Sequence, residues 1–101
     1  MKIIFVCSGN TCRSPLAESI AKSLLPNDSI ASRGLFAVEG QAISKESLEL
    51  IHKYGLPEPS LAQTFRIDDL DADIILTMTQ AHKDLIFSMY GRQSNVFTLN
   101  E

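Results

Sequence analysis

The residues best equipped for chemistry stand together near the start of the chain, in the run Cys7-Ser-Gly-Asn-Thr-Cys-Arg13-Ser14. A thiolate is a strong nucleophile, and a guanidinium presents a planar fork of donors that matches two oxygens of a phosphoryl group. The backbone amides of Ser8, Gly9, Asn10, Thr11 and Cys12 can converge on one anion, together with the unpaired N–H groups of a following helix. Ser14-Pro15 reads as the start of that helix, with Ser14 as N-cap and Pro15 where a missing N–H costs nothing. The helix end and Arg13 both favour the thiolate of Cys7, and the Ser14 hydroxyl is placed to donate to it. Gly9 permits a tight backbone path, and Asn10 tolerates a left-handed conformation. Nucleophile, oxyanion cradle and charge clamp in one short run are the requirements for attack on phosphorus.

The spacing Cys-x5-Arg alone also arises by chance, and Cys7 would then be a buried structural residue ending a strand. The apolar run before it, the glycine within, the Ser-Pro pair after and the second cysteine weigh against coincidence. A Walker A loop would need a second glycine followed by Lys-Ser or Lys-Thr, and a dinucleotide loop would need three glycines. Cys7 and Cys12 lack partners for zinc, because His52 and His82 are solitary in the sequence. The site therefore calls for no metal and no cofactor.

The elements that must carry this loop follow from periodicity. Lys2–Val6 is a continuous apolar run suited to a central parallel strand. Leu16, Ile20 and Leu24, with Ala17 and Ala21, form one apolar helix face, stopped by Pro26-Asn27-Asp28. Ser29–Ser32 is a weak strand candidate. Ser44 caps a helix holding Leu48, Ile51 and Tyr54 and ending at Gly55. Phe65–Leu70 is expected as a short helix, Asp73–Met78 as a strand, and Thr79 as the cap of a helix holding Leu85, Ile86, Met89 and Tyr90 up to Gly91. Asn95–Leu99 is the last strand. Strands alternating with helices predict an α/β fold: a parallel sheet covered on both faces, with ligand chemistry beyond the strands' carboxyl ends.

The 101 residues, 45% hydrophobic and 21% charged, fit one soluble domain spanning 1–101. Net charge is −3 with Lys and Arg scattered, which argues against a nucleic-acid surface. No apolar run is long enough to span a bilayer, so neither a membrane nor a nucleic-acid partner is expected. The N-terminus lacks the features of a signal peptide, and cysteines confined to one loop suit a reducing compartment; a cytoplasmic location is expected.

With these motifs in hand, the chain resembles the low-molecular-weight protein-tyrosine-phosphatase family, over its whole length and most closely the Gram-positive, staphylococcal-type members. The resemblance rests on Val-Cys7 through Arg13-Ser14-Pro, on the following Leu-Ala-Glu18-Ser, and on Ser32-Arg-Gly34, Ile74-Ile-Leu-Thr-Met-Thr79 and Val96-Phe-Thr-Leu99. It implies a four-stranded parallel sheet with helices on both faces. It also implies a mechanism: Cys7 attacks phosphorus to form a phosphocysteine, Arg13 and the loop amides hold the oxygens, and Ser14 steadies the thiolate. Asn10 would shape the loop with Ser32 as partner. Cys12 would form a reversible disulfide with Cys7, or else serve as a small buried hydrophobe.

Tyrosine-selective members carry a larger aliphatic residue where this chain has Thr11, whereas relatives resembling protein arginine phosphatases carry threonine. A shorter, polar rim favours a guanidinium over a phenol ring, so phosphoarginine is the expected substrate, with phosphotyrosine second and a neutral loop substitution as the alternative. Substrates would be phosphorylated proteins or peptides, with inorganic phosphate as product. The family's general acid is an aspartate in an Asp-Pro pair after the fourth strand, and none of the four prolines here follows an aspartate. Asp68, Asp69, Asp71 and Asp73 read as solvated or helix-edge acids. Loss of acid–base help costs roughly 10²–10⁴-fold.

On that basis the chain is expected to lack the C-terminal acid loop and last helix, leaving an apolar strip from strands one and three open to self-association. Arsenate reduction on the same fold would need cysteines beyond Cys12. A phosphate-binding fragment without turnover is the non-enzymatic alternative.

Overall fold

The computed structural model describes residues 1–11 and 13–99. Four strands form one parallel sheet in the order β2-β1-β3-β4. They are β1 (Lys2–Cys7), β2 (Ser29–Gly34), β3 (Ile74–Thr77) and β4 (Val96–Thr98). Three α-helices connect them: α1 (Arg13–Leu24), α2 (Lys45–Lys53) and α3 (Gln80–Tyr90). The short helix expected over Phe65–Leu70 is a 3-10 turn shifted to Ile67–Asp71.

β1 is central, and its continuous apolar run is explained by burial on both faces. Ile3 and Phe5 point to the α1 side, where they pack with Ile30, Ala17 and Ala21. Ile4 and Val6 point the other way and join Ile75, Val96 and Ile86 of α3. Ile4, Ile75 and Ile86 are fully enclosed, and burying each stabilises the fold by about 1.5–3 kcal/mol. The predicted α/β architecture, with helices on both faces, is thus the observed one.

The two faces are not equally covered. Every second residue of β4 faces the α1 side, and Phe97 and Leu99 there stay exposed. Leu99 borders an open apolar groove of about 370 Å³, which Phe5, Ala17, Ile20, Ala21, Leu24 and Leu25 also line. The strip expected from strands one and three is thus corrected: Ile3 and Phe5 are buried, and the exposed apolar residues here are Ile20 and Leu24 of α1, with Leu25 and Leu99. Phe5 of β1 lines the groove while remaining buried. Leu24, expected on a packed helix face, is 73% exposed.

Two other expectations are corrected. Ser14 is not an N-cap: α1 already includes Arg13, and the Ser14 hydroxyl is committed to the loop rather than to the helix end. Of the two readings given for Asp69, solvated or helix-edge, the structure keeps the second: it closes the start of the 3-10 turn and is not solvated. It is buried, sits 3.3 Å from the Arg33 guanidinium, and accepts the Arg66 backbone N–H at 2.9 Å. It ties β2 to the 3-10 turn, a pairing of residues far apart in sequence. Ser44 and Thr79 do cap α2 and α3, accepting from the backbone N–H of Ser47 and His82.

Candidate active site

β1 is flanked by β2 on one side and β3 on the other, so the crevice at its carboxyl end is a topological switch point. The loop from Cys7 to α1 lies there. Its backbone is pinned by β2 as it departs: Leu35 donates to the Cys7 carbonyl and Phe36 to the Ser8 carbonyl, each at 2.9 Å. Farther on, the Thr11 carbonyl accepts the Ser44 N–H at 2.7 Å, which fixes the loop rim to the start of α2.

Cys7 is buried, and its sulfur has two donors in reach: the Asn10 N–H at 3.2 Å and the Ser14 hydroxyl at 2.8 Å. Proton accounting gives that pair a direction. The Asn10 side-chain oxygen accepts the Gln63 N–H at 3.2 Å, which fixes the amide so that its NH₂ points to Ser14 at 3.2 Å and Ser32 at 2.9 Å. Ser32 in turn donates to Glu18 at 2.5 Å. Ser14 receives a proton from Asn10, and its own is directed at sulfur. The arrangement supplies Cys7 with donors, which suits an anionic nucleophile.

Asn10 is the knot of this network. It has φ +56°, the left-handed conformation its residue type tolerates, and it is 1% exposed. Gly9 is less constrained than the sequence suggests, since a Cβ there would meet only the Thr11 hydroxyl at an ordinary 3.7 Å. The position that has to be glycine is Gly34. A Cβ on it would lie 2.6 Å from the Ser8 carbonyl oxygen and 2.9 Å from the Asn10 nitrogen.

Glu18 and His82 also bear on the site, and sequence reasoning assigned neither. The Glu18 carboxylate is fully buried beneath the loop and meets Lys22, Ser32 and the N–H and hydroxyl of Ser60. Its place in Leu-Ala-Glu18-Ser, on the inner side of an amphipathic helix, was the available signal. His82 is buried at the start of α3, with Nε2 2.9 Å from the Ser8 hydroxyl and Nδ1 3.1 Å from the Thr79 hydroxyl. Desolvation and the Arg13 charge push its pKa below the ordinary 6.5.

Because the folded protein resists protonating His82, that share of stability is whole above pH 6.5 and lost as pH falls from there toward the lowered folded value. Denaturant midpoints at pH 7.5 and 5.5 should therefore drop less in His82→Gln than in the wild type. An identical drop in both would contradict this.

Arg13 is exposed at the head of α1 and, among the described residues, forms no ion pair. Its guanidinium is thus available to an anion, and it also borders the upper end of the apolar groove with Leu16, Ile20, Met78 and Leu99. Cys7, Ser8, Gly9, Asn10, Thr11, Arg13, Ser14 and Ser32 are brought together around one crevice. Cys12 lies outside the described residues.

Known proteins share this architecture. The family described as low molecular weight phosphotyrosine protein phosphatase matches residues 2–101. A protein named low molecular weight protein-tyrosine-phosphatase PtpB, from Staphylococcus epidermidis, is 95% identical over 101 residues, which is all of this chain and 73% of that protein. The YwlE arginine phosphatase from Geobacillus stearothermophilus superposes with a TM-score of 0.92 at 33% identity, covering 98% of this chain and 66% of that one. A structure described as a C7S mutant of YwlE arginine phosphatase with a phosphorylated active-site serine superposes with a TM-score of 0.94 at 36% identity, covering 100% and 70%.

Proposed function

The chain belongs to the low molecular weight phosphotyrosine protein phosphatase family, whose members are hydrolases, and we propose that it acts on phosphoarginine in proteins through a phosphocysteine at Cys7. The observation that carries this reading is the pair of donors on the buried Cys7 sulfur, in the loop between the carboxyl end of β1 and the start of α1. Cys7 attacks phosphorus as the P–N bond breaks; the guanidino nitrogen departs as arginine, protonated by solvent water, while the amides of Ser8 to Cys12 and the Arg13 fork take the oxygens. Ser14 donates to the thiolate before attack and to the leaving sulfur afterwards. Water then releases inorganic phosphate. That an arginine phosphatase of this fold has been captured with phosphate on a serine in place of its active-site cysteine supports the covalent step.

Thr11 supports the choice of substrate. It is half-buried at the rim, its backbone held by Ser44, so its short polar side chain edges the entrance. A guanidinium keeps a hydrogen-bond partner there, whereas a phenol ring gains little apolar contact. Thr11→Ile is expected to shift the ratio of phosphoarginine to phosphotyrosine peptide hydrolysis toward phosphotyrosine by about tenfold. An unchanged ratio would refute the specificity assignment.

The 101 residues contain no Asp-Pro pair, and general-acid help is assigned to none of them. An activated aryl phosphate, whose leaving group needs little protonation, is therefore the substrate of choice for testing the nucleophile. Cys12 is assigned the reversible disulfide with Cys7, which shields the nucleophile from higher oxidation in a reducing, cytoplasmic setting. Among the described residues no helix is long and apolar enough to cross a membrane.

The groove beside α1 is the surface through which copies of this chain would associate. Ile20, Leu24, Leu25 and Leu99 are all more than a third exposed there, an apolar area that water disfavours. The 101-residue protein is expected to sediment above monomer mass, and the double variant Ile20→Lys, Leu24→Lys to return it to monomer. A stable wild-type monomer would rule the association out.

A further inference from the structure

The bond between His82 and Ser8 joins residues 74 positions apart and fastens the front of the loop to α3. Its partners constrain the proton. The Thr79 hydroxyl accepts the His82 backbone N–H at 3.3 Å as the helix cap, and the same oxygen lies 3.1 Å from Nδ1. A hydroxyl that accepts the cap bond still has one proton to give, and Nδ1 is the acceptor beside it. The ring's single proton then belongs on Nε2, which faces Ser8. Burial and the nearby Arg13 charge keep the imidazole neutral, so one ring nitrogen remains an acceptor at neutral pH.

We propose that His82 is a positioning residue for the phosphate loop: as the Nε2–H tautomer it donates to the Ser8 hydroxyl oxygen and leaves the Ser8 proton for the bound anion. The opposite wiring would spend the Ser8 proton on the ring and turn lone pairs toward an anion, which is repulsive. Ser8 stands exposed at the mouth, whereas His82 is buried behind it, so the histidine acts only through the serine. The inference rests on the loop being an anion cradle. It adds an α3 residue to the supports that β2 and the segment around Gln63 give the loop.

Two measurements on the protein test it. Nitrogen-15 NMR of the His82 ring at neutral pH should report the Nε2–H tautomer, and an Nδ1–H ring overturns the wiring. Calorimetric titration with inorganic phosphate should show His82→Ala binding about three- to tenfold more weakly than wild type. The same substitution in a Ser8→Ala background should cost nothing further, and His82→Gln, which retains an N–H donor, should recover most of the affinity. Equal losses in both backgrounds overturn the inference while leaving the cradle intact. If His82→Ala does not fold, Ser8→Ala and His82→Gln carry the decision: weaker binding in the first but not the second supports the proposal, and wild-type binding in both overturns it. A wild-type protein that takes up no phosphate overturns the cradle itself, and this inference with it.

Discussion

Cys7→Ser is expected to abolish the burst of product from an activated aryl phosphate and to lower its turnover by at least about 10⁴-fold. A serine hydroxyl at neutral pH is a far weaker nucleophile than a thiolate. It also receives the same two donors, Asn10 N–H and Ser14 O–H, which stabilise an anion the serine does not form. Binding should move the other way. The loop amides and Arg13 are unchanged in the variant, so inorganic phosphate should bind no more weakly than to wild type. Rapid-quench kinetics and calorimetry give the two readouts separately. A variant that kept the burst would remove Cys7 from the chemistry, and one that lost both burst and phosphate would point to a damaged loop rather than a missing nucleophile.

The second large effect is expected at a residue with no side chain. Gly34→Ala places a methyl 2.6 Å from the Ser8 carbonyl and 2.9 Å from the Asn10 nitrogen, and both are backbone atoms that no rotamer change can move. The Ala37 side chain, 2.8 Å away, closes the remaining direction. Either β2 shifts within its register or the loop is pushed out of its crevice. Overpacking of this kind costs about 1–3 kcal/mol of stability. Because a displacement on the order of 1 Å is worth roughly 10²-fold when reacting groups must be aligned, phosphatase activity should fall by about that factor. Thermal melting and kcat/KM would check the two parts. Gly9→Ala is the control, since that methyl has room, and equal damage from both glycines would contradict the packing argument.

That contrast illustrates what the sequence disclosed. The candidate nucleophile and arginine could be proposed from sequence because they share one short run, and consecutive residues need no tertiary knowledge to be placed together. The strands were legible because a parallel strand buried on both faces is written as an unbroken apolar run, as in β1. Gly34 was visible as part of a motif, but not as the wall against which the loop packs, because that contact links β2 to the loop before α1. Asp69 allowed a solvated reading because its partner Arg33 is far away in sequence. Ser14 was given two tasks from the sequence, capping the helix and donating to sulfur; the structure keeps the second and drops the first, because α1 already begins at Arg13. His82 read as solitary, and in sequence it is. Thr79 is its local neighbour, and only the fold brings Ser8, 74 positions away, to its other ring nitrogen.

The scatter of the loop's supports has a kinetic side. The donors form a local run, but Ser32, Gly34, Gln63 and His82 arrive from elements that must first close long stretches of chain. A peptide of the first fifteen residues would own the groups and lack the shape. In folding, the crevice can be complete only after β2, the segment around Gln63 and α3 have docked on β1, so its contacts belong after the rate-limiting barrier. An anion held there fastens all of these segments at once. It should lengthen the lifetime of the native state by slowing its opening, with little effect on how fast the chain first folds.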